Sequence, residues 1–298
     1  MKRIKTLHYD LTFSELAYGV WRLAESKPTT SSTEAKIQAC LDQGITTFDH
    51  ADIYGDYQCE QLFGDVLKAN PSLRGQMELI SKCDIALISD HYPERRVKYY
   101  DTSREYLFQQ VKQSLKNLHT DYLDTLLIHR PDPLMDAEET GEALDDLIKE
   151  GLVRTVGVSN FSVWQWKLLQ SKMTNRLITN QIEINLFKQS SLWDGTLEAM
   201  QLDQLLPMAW SPLAGGQLFN QPLNSELDSL LKRIERSQQC QREHIALAWL
   251  RVHPANILPV VGTNNLDRIK ALHQVNHVEL DRETWFELLT AAKGSEVP

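Results

Sequence analysis

Tyr122-Leu123-Asp124-Thr125-Leu126-Leu127-Ile128 is a short, mostly apolar run that stops on the ionisable residue His129, and this arrangement recurs along the chain of 298 residues. Such a run, bounded by polar neighbours, reads as a buried strand. Working outward from it, strands are expected at 15–20, 46–49, 77–81, 155–158, 179–184, 207–210 and 257–261, which with 122–128 makes eight. Helical spacing fills the intervals at 33–43, 60–69, 103–118, 137–150, 163–171, 192–200, 241–252 and 266–275. In the first of these helices Ile37, Cys40 and Leu41 line one face, and Gly44 stops the helix. Two further helical patterns, near 227–236 and 282–293, exceed the eightfold count and read as insertions or caps. The segment before residue 15 is left open by its pattern.

Eight strand-then-helix units are the pattern of a (β/α)8 barrel, although a doubly wound parallel sheet shows the same local alternation. The placement of polar residues separates the two. Asp49, Lys82, His129, Ser159-Asn160, Asn185, Ser211 and Thr263 sit at or just past strand C-termini, which in a barrel all open onto one mouth. No G-x-G-x-x-G turn, P-loop or H-E-x-x-H helix occurs. The expected fold is therefore α/β, a single (β/α)8 TIM barrel spanning 1–298, with extra helices and long βα loops.

Composition narrows the function. With 42% apolar and 24% charged residues, 13 Gly and 11 Pro, the chain is not collagen, coiled coil or wholly disordered. A formal charge of -9 argues against nucleic acid and anionic membrane surfaces as partners, since both call for a basic face. No apolar run is long enough to cross a bilayer. The start, Met1-Lys2-Arg3-Ile4-Lys5-Thr6, passes into Leu7-His8-Tyr9-Asp10 without the apolar stretch of a signal peptide. The four cysteines, Cys40, Cys59, Cys83 and Cys240, are scattered. These features point to a reduced, cytoplasmic protein with a small-molecule partner.

The motifs at the strand ends carry the chemistry. Gly19-Val20-Trp21 follows the first strand, Asp49-His50-Ala51-Asp52-Ile53-Tyr54-Gly55 the second, Ile80-Ser81-Lys82 closes the third and His129-Arg130-Pro131-Asp132 follows the fourth. Further along stand Gly157-Val158-Ser159-Asn160-Phe161, Gln181, Trp210-Ser211-Pro212-Leu213 and the segment from Gly262 to Arg268. In this order and at these places the sequence resembles the aldo-keto reductase family over essentially its whole length. The resemblance implies an NADPH-dependent oxidoreductase that reduces an aldehyde or ketone, with Asp49, Tyr54, Lys82 and His129 as a catalytic tetrad.

The chemistry explains why these residue types belong together. A carbonyl that receives hydride becomes an alkoxide and needs a proton donor, here Tyr54. Lowering a phenol by about two pKa units requires about 2.7 kcal/mol. An ammonium at about 4 Å supplies roughly 4 kcal/mol at an effective dielectric of about 20, so Lys82 is expected to suffice before desolvation is counted. Asp49 would hold Lys82, and His129 would hydrogen-bond the carbonyl oxygen. Taken singly, Asp49 reads as a turn residue, Tyr54 as packing and His129 as a core histidine. Lys82 at the end of an apolar strand resists that reading, and four coincidences on one rim resist it further. Metal ligation by Asp49, His50 and Asp52 is disfavoured, because adjacent strand residues point to opposite faces and no matching pair occurs elsewhere. His50 stands where relatives often carry a small residue, and it is expected to be solvated or supporting.

By the same resemblance Ser159, Asn160 and Gln181 would hold a nicotinamide carboxamide, and Trp210 would stack on the ring. Ser211, Pro212, Leu213, Gly215 and Gly216 would pass the pyrophosphate, offering backbone N–H groups. Thr263, Asn264 and Arg268 would contact the 2′-phosphate of NADP(H), at a helix start. Gly262 stands where many relatives carry Lys, which leaves Arg268 as the principal cation. A cofactor-binding redox sensor without turnover is the alternative on the same fold. The segment 83–101 concentrates Arg95, Arg96 and Lys98 with Tyr92, Tyr99 and Tyr100 over the mouth. It reads either as a solvated cover or as an attractant for carbonyl compounds that bear a carboxylate.

Overall fold

Each apolar run is a strand in the computed structural model of the chain, which describes residues 1–220 and 222–297. The strands are Ala17–Gly19, Thr47–Asp49, Glu78–Cys83, Leu123–Ile128, Val153–Ser159, Leu177–Glu183, Leu206–Trp210 and Leu258–Val261. All are parallel, each pairs with the next, and the last closes on the first through Val260 opposite Ala17 and Val261 opposite Tyr18. The expected (β/α)8 barrel is thus the observed fold.

Both faces of these strands are apolar because both are covered. Along 79–80 and 126–127 the side chains alternate. Ile80 and Leu127 join Ala17, Ile178, Met208 and Leu258 inside the barrel, while Leu79 and Leu126 pack outward under the helices. The open segment before residue 15 is an antiparallel hairpin, Arg3–Lys5 with Thr12–Ser14. Its Leu11 and Phe13 belong to the barrel's interior cluster. The hairpin lies across the N-terminal rim of the strands. Arg3 pairs with Glu78 at 2.6 Å, and the Tyr9 hydroxyl accepts from Arg176 N at 3.0 Å and donates to its carbonyl at 3.2 Å.

Two helical expectations shift. Where 192–200 suggests one helix, a 3-10 turn at Ser190–Leu192 precedes an α-helix at Thr196–Leu202. The break falls at Asp194-Gly195: Gly195 takes φ +84°, and Asp194 Oδ1 accepts from Thr196 N at 2.9 Å. The pattern at 266–275 divides into an α-helix at Leu266–Ala271 and a 3-10 segment at Leu272–His277. The two supernumerary helices, Ser225–Gln238 and Arg282–Lys293, pack against each other. Trp285 on the second stacks on Trp249 at 5.0 Å, and each indole N–H donates to the other residue's carbonyl, at 2.9 and 3.2 Å.

One glycine sets how closely the outer layer packs. Gly64, in the helix Cys59–Ala69, faces the end of the helix Arg104–Leu118 so tightly that an added Cβ would lie 1.9 Å from the Asn117 carbonyl oxygen. Alanine would favour the helix by about 0.8–1 kcal/mol on propensity alone, but here it forces the two helices apart. Gly64→Ala is accordingly expected to destabilise the fold by about 1–3 kcal/mol, read as a lower urea midpoint. An unchanged midpoint would show that the crossing yields without strain.

Candidate active site

The strand ends deliver their polar residues to one mouth. Asp49 ends the second strand opposite Gly19 and Ile80, and Lys82 lies opposite Leu127, one position short of the end of the third. After Asp49 the chain continues the ladder through His50 N to the Ile80 carbonyl at 2.8 Å and Asp52 N to the Lys82 carbonyl at 3.0 Å. It then turns at Tyr54-Gly55-Asp56, where Gly55 adopts φ +61°. A Cβ there would meet Ala24 Cβ and Cys59 Sγ at 2.7 Å, so only glycine fits this turn.

Lys82 is fully buried, and each of its three N–H donors has an acceptor. Asp49 Oδ2 lies at 2.8 Å, the His50 carbonyl at 2.7 Å and the Tyr54 hydroxyl at 3.0 Å. The other Asp49 oxygen accepts from Gln181 Nε2 at 2.9 Å. Because the Tyr54 oxygen accepts from Lys82, its own proton is left for the cavity. Burial, the largest influence on Lys82, pulls its pKa down, yet Asp49 and Tyr54 together hold it above the ordinary lysine value. For Tyr54 the outcome corrects the sequence expectation: burial raises the phenol more than Lys82 lowers it, so its pKa lies above that of a free tyrosine.

His129 stands edge-on to Tyr54 with ring centroids 5.9 Å apart. Its Nδ1 is buried without a partner among the described residues. Burial, reinforced by Lys82, Arg130 and Lys98, pushes it well below the ordinary histidine pKa, which leaves a neutral imidazole. Of the two expectations for His50, solvated or supporting, the first does not hold. His50 is fully buried against Phe63 at 4.5 Å, burial and Lys82 push its pKa down to about 3, and its site contribution is the backbone carbonyl that Lys82 grips. Among the described residues no group of three or more His, Cys, Asp or Glu is arranged to hold a metal.

A cavity of about 720 Å³ opens above these groups. Tyr54, His129 and Asp49 line it, together with Ser159, Asn160, Gln181, Trp210, Ser211, Pro212, Leu213, Gly215, Gly216, Gly262, Thr263, Asn264 and Arg268, so every catalytic and cofactor candidate but the buried Lys82 faces one space. Trp210 is fixed by Nε1 donating to Asn160 Oδ1 at 2.9 Å. Asn160, at φ +62°, in turn donates to Ser159 Oγ at 2.8 Å. The segment 211–216 is held by Asn185 Nδ2 on the Ser211 carbonyl at 3.0 Å. Within it, Ala214 N and Gly216 N close local turns on Ser211 and Leu213 rather than pointing freely outward. The helix at Leu266–Ala271 is short, and its Arg268 N–H is capped by Asn265 Oδ1 at 3.0 Å.

The loop over the mouth is a small hairpin, Ile85–Ala86 with Tyr99–Tyr100. Arg95 does not face the cavity: it donates to the Tyr57 hydroxyl at 2.7 Å and lies over the Tyr92 ring at 3.6 Å, bracing the loop. Of the three loop cations only Lys98 lines the cavity, joined by Arg130, whose guanidinium lies over Trp210 at 5.8 Å. Trp21, Arg22, Glu25, Asp56 and Phe219 also line the wall. Sequence reading did not single these out as site residues. Their shared signal is position just after a strand end, which loops of ordinary composition also satisfy.

Comparison with known proteins agrees with the geometry. The profile of the Aldo/keto reductase family matches residues 15–292. Over the full length of both chains, the protein is 48% identical to a 6-dehydroglucose reductase of Agrobacterium fabrum. It is also 44% identical to the oxidoreductase YcsN of Bacillus subtilis, again over the full length of both. In fold it is similar to the crystal structure of the thermostable aldo-keto reductase Tm1743 with the inhibitor epalrestat, at a TM-score of 0.81 and 24% identity, covering 98% of this chain and 100% of that one. The chain belongs to the aldo/keto reductase family of oxidoreductases.

Proposed function

We propose that the protein reduces an aldehyde or ketone to an alcohol with NADPH, and that Tyr54 delivers the proton. The observation that carries this reading is the fully matched Lys82 ammonium, which holds the Tyr54 oxygen at 3.0 Å and leaves its O–H for the cavity. NADPH, when bound, supplies the hydride. The residues present fit such a cofactor: an aromatic face at Trp210 is locked by Asn160, amide and hydroxyl groups of Ser159, Asn160 and Gln181 stand beside it, and a cation, Arg268, stands at Thr263 and Asn264. Gln181 spends one of its two N–H donors on Asp49, so its carbonyl oxygen and its other N–H are left to meet a carboxamide.

A carbonyl oxygen placed between Tyr54 and His129 receives two hydrogen bonds, one from the phenol and one from a neutral imidazole N–H. As charge develops on that oxygen the phenol proton transfers to it, and Lys82, already seated, stabilises the phenolate without reorganising. Asp49 touches none of the reacting atoms and acts by holding Lys82. The substrate class we put first is a carbonyl-bearing sugar, because the relative 48% identical over its full length is named 6-dehydroglucose reductase. Trp21 offers an aromatic face to a sugar ring, and Asp56, Lys98 and Arg130 offer partners to hydroxyls.

Oxidation of NADPH followed over a panel of carbonyl compounds that includes 6-dehydroglucose tests the activity. Turnover is expected, and Tyr54→Phe is expected to lower kcat at least about a hundredfold with NADPH affinity almost unchanged. Tight NADPH binding without turnover on any compound would favour the redox sensor instead.

The pH profile follows from the two shifted groups. Reduction needs Tyr54 protonated, and its pKa is raised above the free value of about 10, so the rate falls only as pH climbs beyond that. His129, pushed well below about 6.5, stays neutral through the same range. The expected kcat is flat from about pH 6.5 to about 9, and an alkaline limb near neutrality would contradict the raised phenol.

Cofactor choice is read at Arg268, which lies over Phe219 at 5.5 Å. Charge-assisted bonds to a phosphate predict that Arg268→Ala weakens NADPH by roughly 1.5–3 kcal/mol and spares NADH. Equal losses for both nucleotides would make Arg268 structural.

A further inference from the structure

Lys36 lies in the middle of the helix Thr30–Leu41, on the face that also carries Ile37 and Cys40, and is only 7% exposed. A lysine so buried is normally paired with a carboxylate. This one is not. Its single hydrogen bond among the described residues runs from Nζ to Asn264 Oδ1 at 3.3 Å, which leaves two of three ammonium donors without a protein acceptor. No carboxylate lies within ion-pair distance among the described residues, and burial alone sets the direction of its shift, downward.

Its position is built rather than incidental. The helix Thr30–Leu41 packs against Leu266–Ala271. Just past its end, Gln43 clamps the two together through Nε2 to the Ile269 carbonyl at 2.8 Å and Oε1 from His273 N at 2.9 Å. Asn264 is oriented from the other side: its Nδ2 donates to the Arg22 carbonyl, so its Oδ1 faces Lys36. Asn264 lines the cavity with Thr263 and Arg268, and the Lys36 ammonium therefore stands one side chain behind that wall. Arg268, the cation in front, also has no carboxylate partner among the described residues.

We propose that Lys36 is a buried second cation of the 2′-phosphate subsite, acting with Arg268 to make the chain prefer NADPH over NADH, an inference that rests on the NADPH reading above. A dianionic phosphate against Thr263 and Asn264 supplies the countercharge that the ammonium behind Asn264 lacks. Its charge meets Arg268 from the front and Lys36 from behind, where screening by solvent is weakest. The helix after the first strand thus contributes to nucleotide choice although none of its residues lines the cavity.

Dissociation constants for NADPH and NADH, measured by calorimetry without a carbonyl substrate, test this directly. Lys36→Met is expected to weaken NADPH at least tenfold, to leave NADH within twofold, and to keep or raise Tm, since an apolar chain of similar length replaces an unpaired buried charge. If the wild type does not prefer NADPH, the cofactor reading itself fails. If the wild type prefers NADPH and Arg268→Ala abolishes the preference while Lys36→Met retains it, the Lys36 inference alone is overturned. Equal weakening of both nucleotides by Lys36→Met would likewise overturn it and make Lys36 a support for the loop.

Discussion

The site depends on one satisfied ammonium. A charge in the wall of a barrel costs several kcal/mol unless its partners replace water, and Lys82 has three acceptors for three donors, none farther than 3.0 Å. Each acceptor belongs to the second strand or the turn that follows it, so the ammonium pins that turn to the third strand. Gln181 extends the grip across the mouth by holding the other oxygen of Asp49 from the sixth strand. What orients the phenol is therefore the same network that fixes the local backbone.

Other buried polar groups near the mouth lack such closure. Asp52 and Asp84 each bury one carboxylate oxygen without a partner among the described residues, and burial raises both well above the usual carboxylate range. His50 buries two unpartnered ring nitrogens. They pack around the second and third strands, next to the satisfied lysine, and a neutral state is the cheapest one open to them. By contrast, the buried ion pair of Lys82 with Asp49 has its hydrogen bonds complete.

The barrel was legible because its signal is local: each strand is a short apolar run, and each run ends on a polar residue. Lys82 was legible for the same reason, since nothing else explains a lysine closing Ile80-Ser81. Three matters were hidden because they arise from contacts remote in sequence. The sign of the Tyr54 shift depends on burial, which a charge-pair argument omits. Gln181 meets Asp49 across 132 positions. Arg95 reads as a free surface cation until the loop folds back and Tyr57 and Tyr92 claim it. Lys36 was disguised differently: a lysine on a helix is assigned to solvent by default, although its place one turn before Cys40 put it on the inward face.

The hairpin across the N-terminal rim bears on traffic. With Leu11 and Phe13 wedged into the foot of the barrel and Tyr9 fastened to Arg176, the strands enclose a blind tube, stoppered below and open above. Anything that reaches Tyr54 enters and leaves by the same door, past a wall shared by Trp21, Lys98 and Trp210.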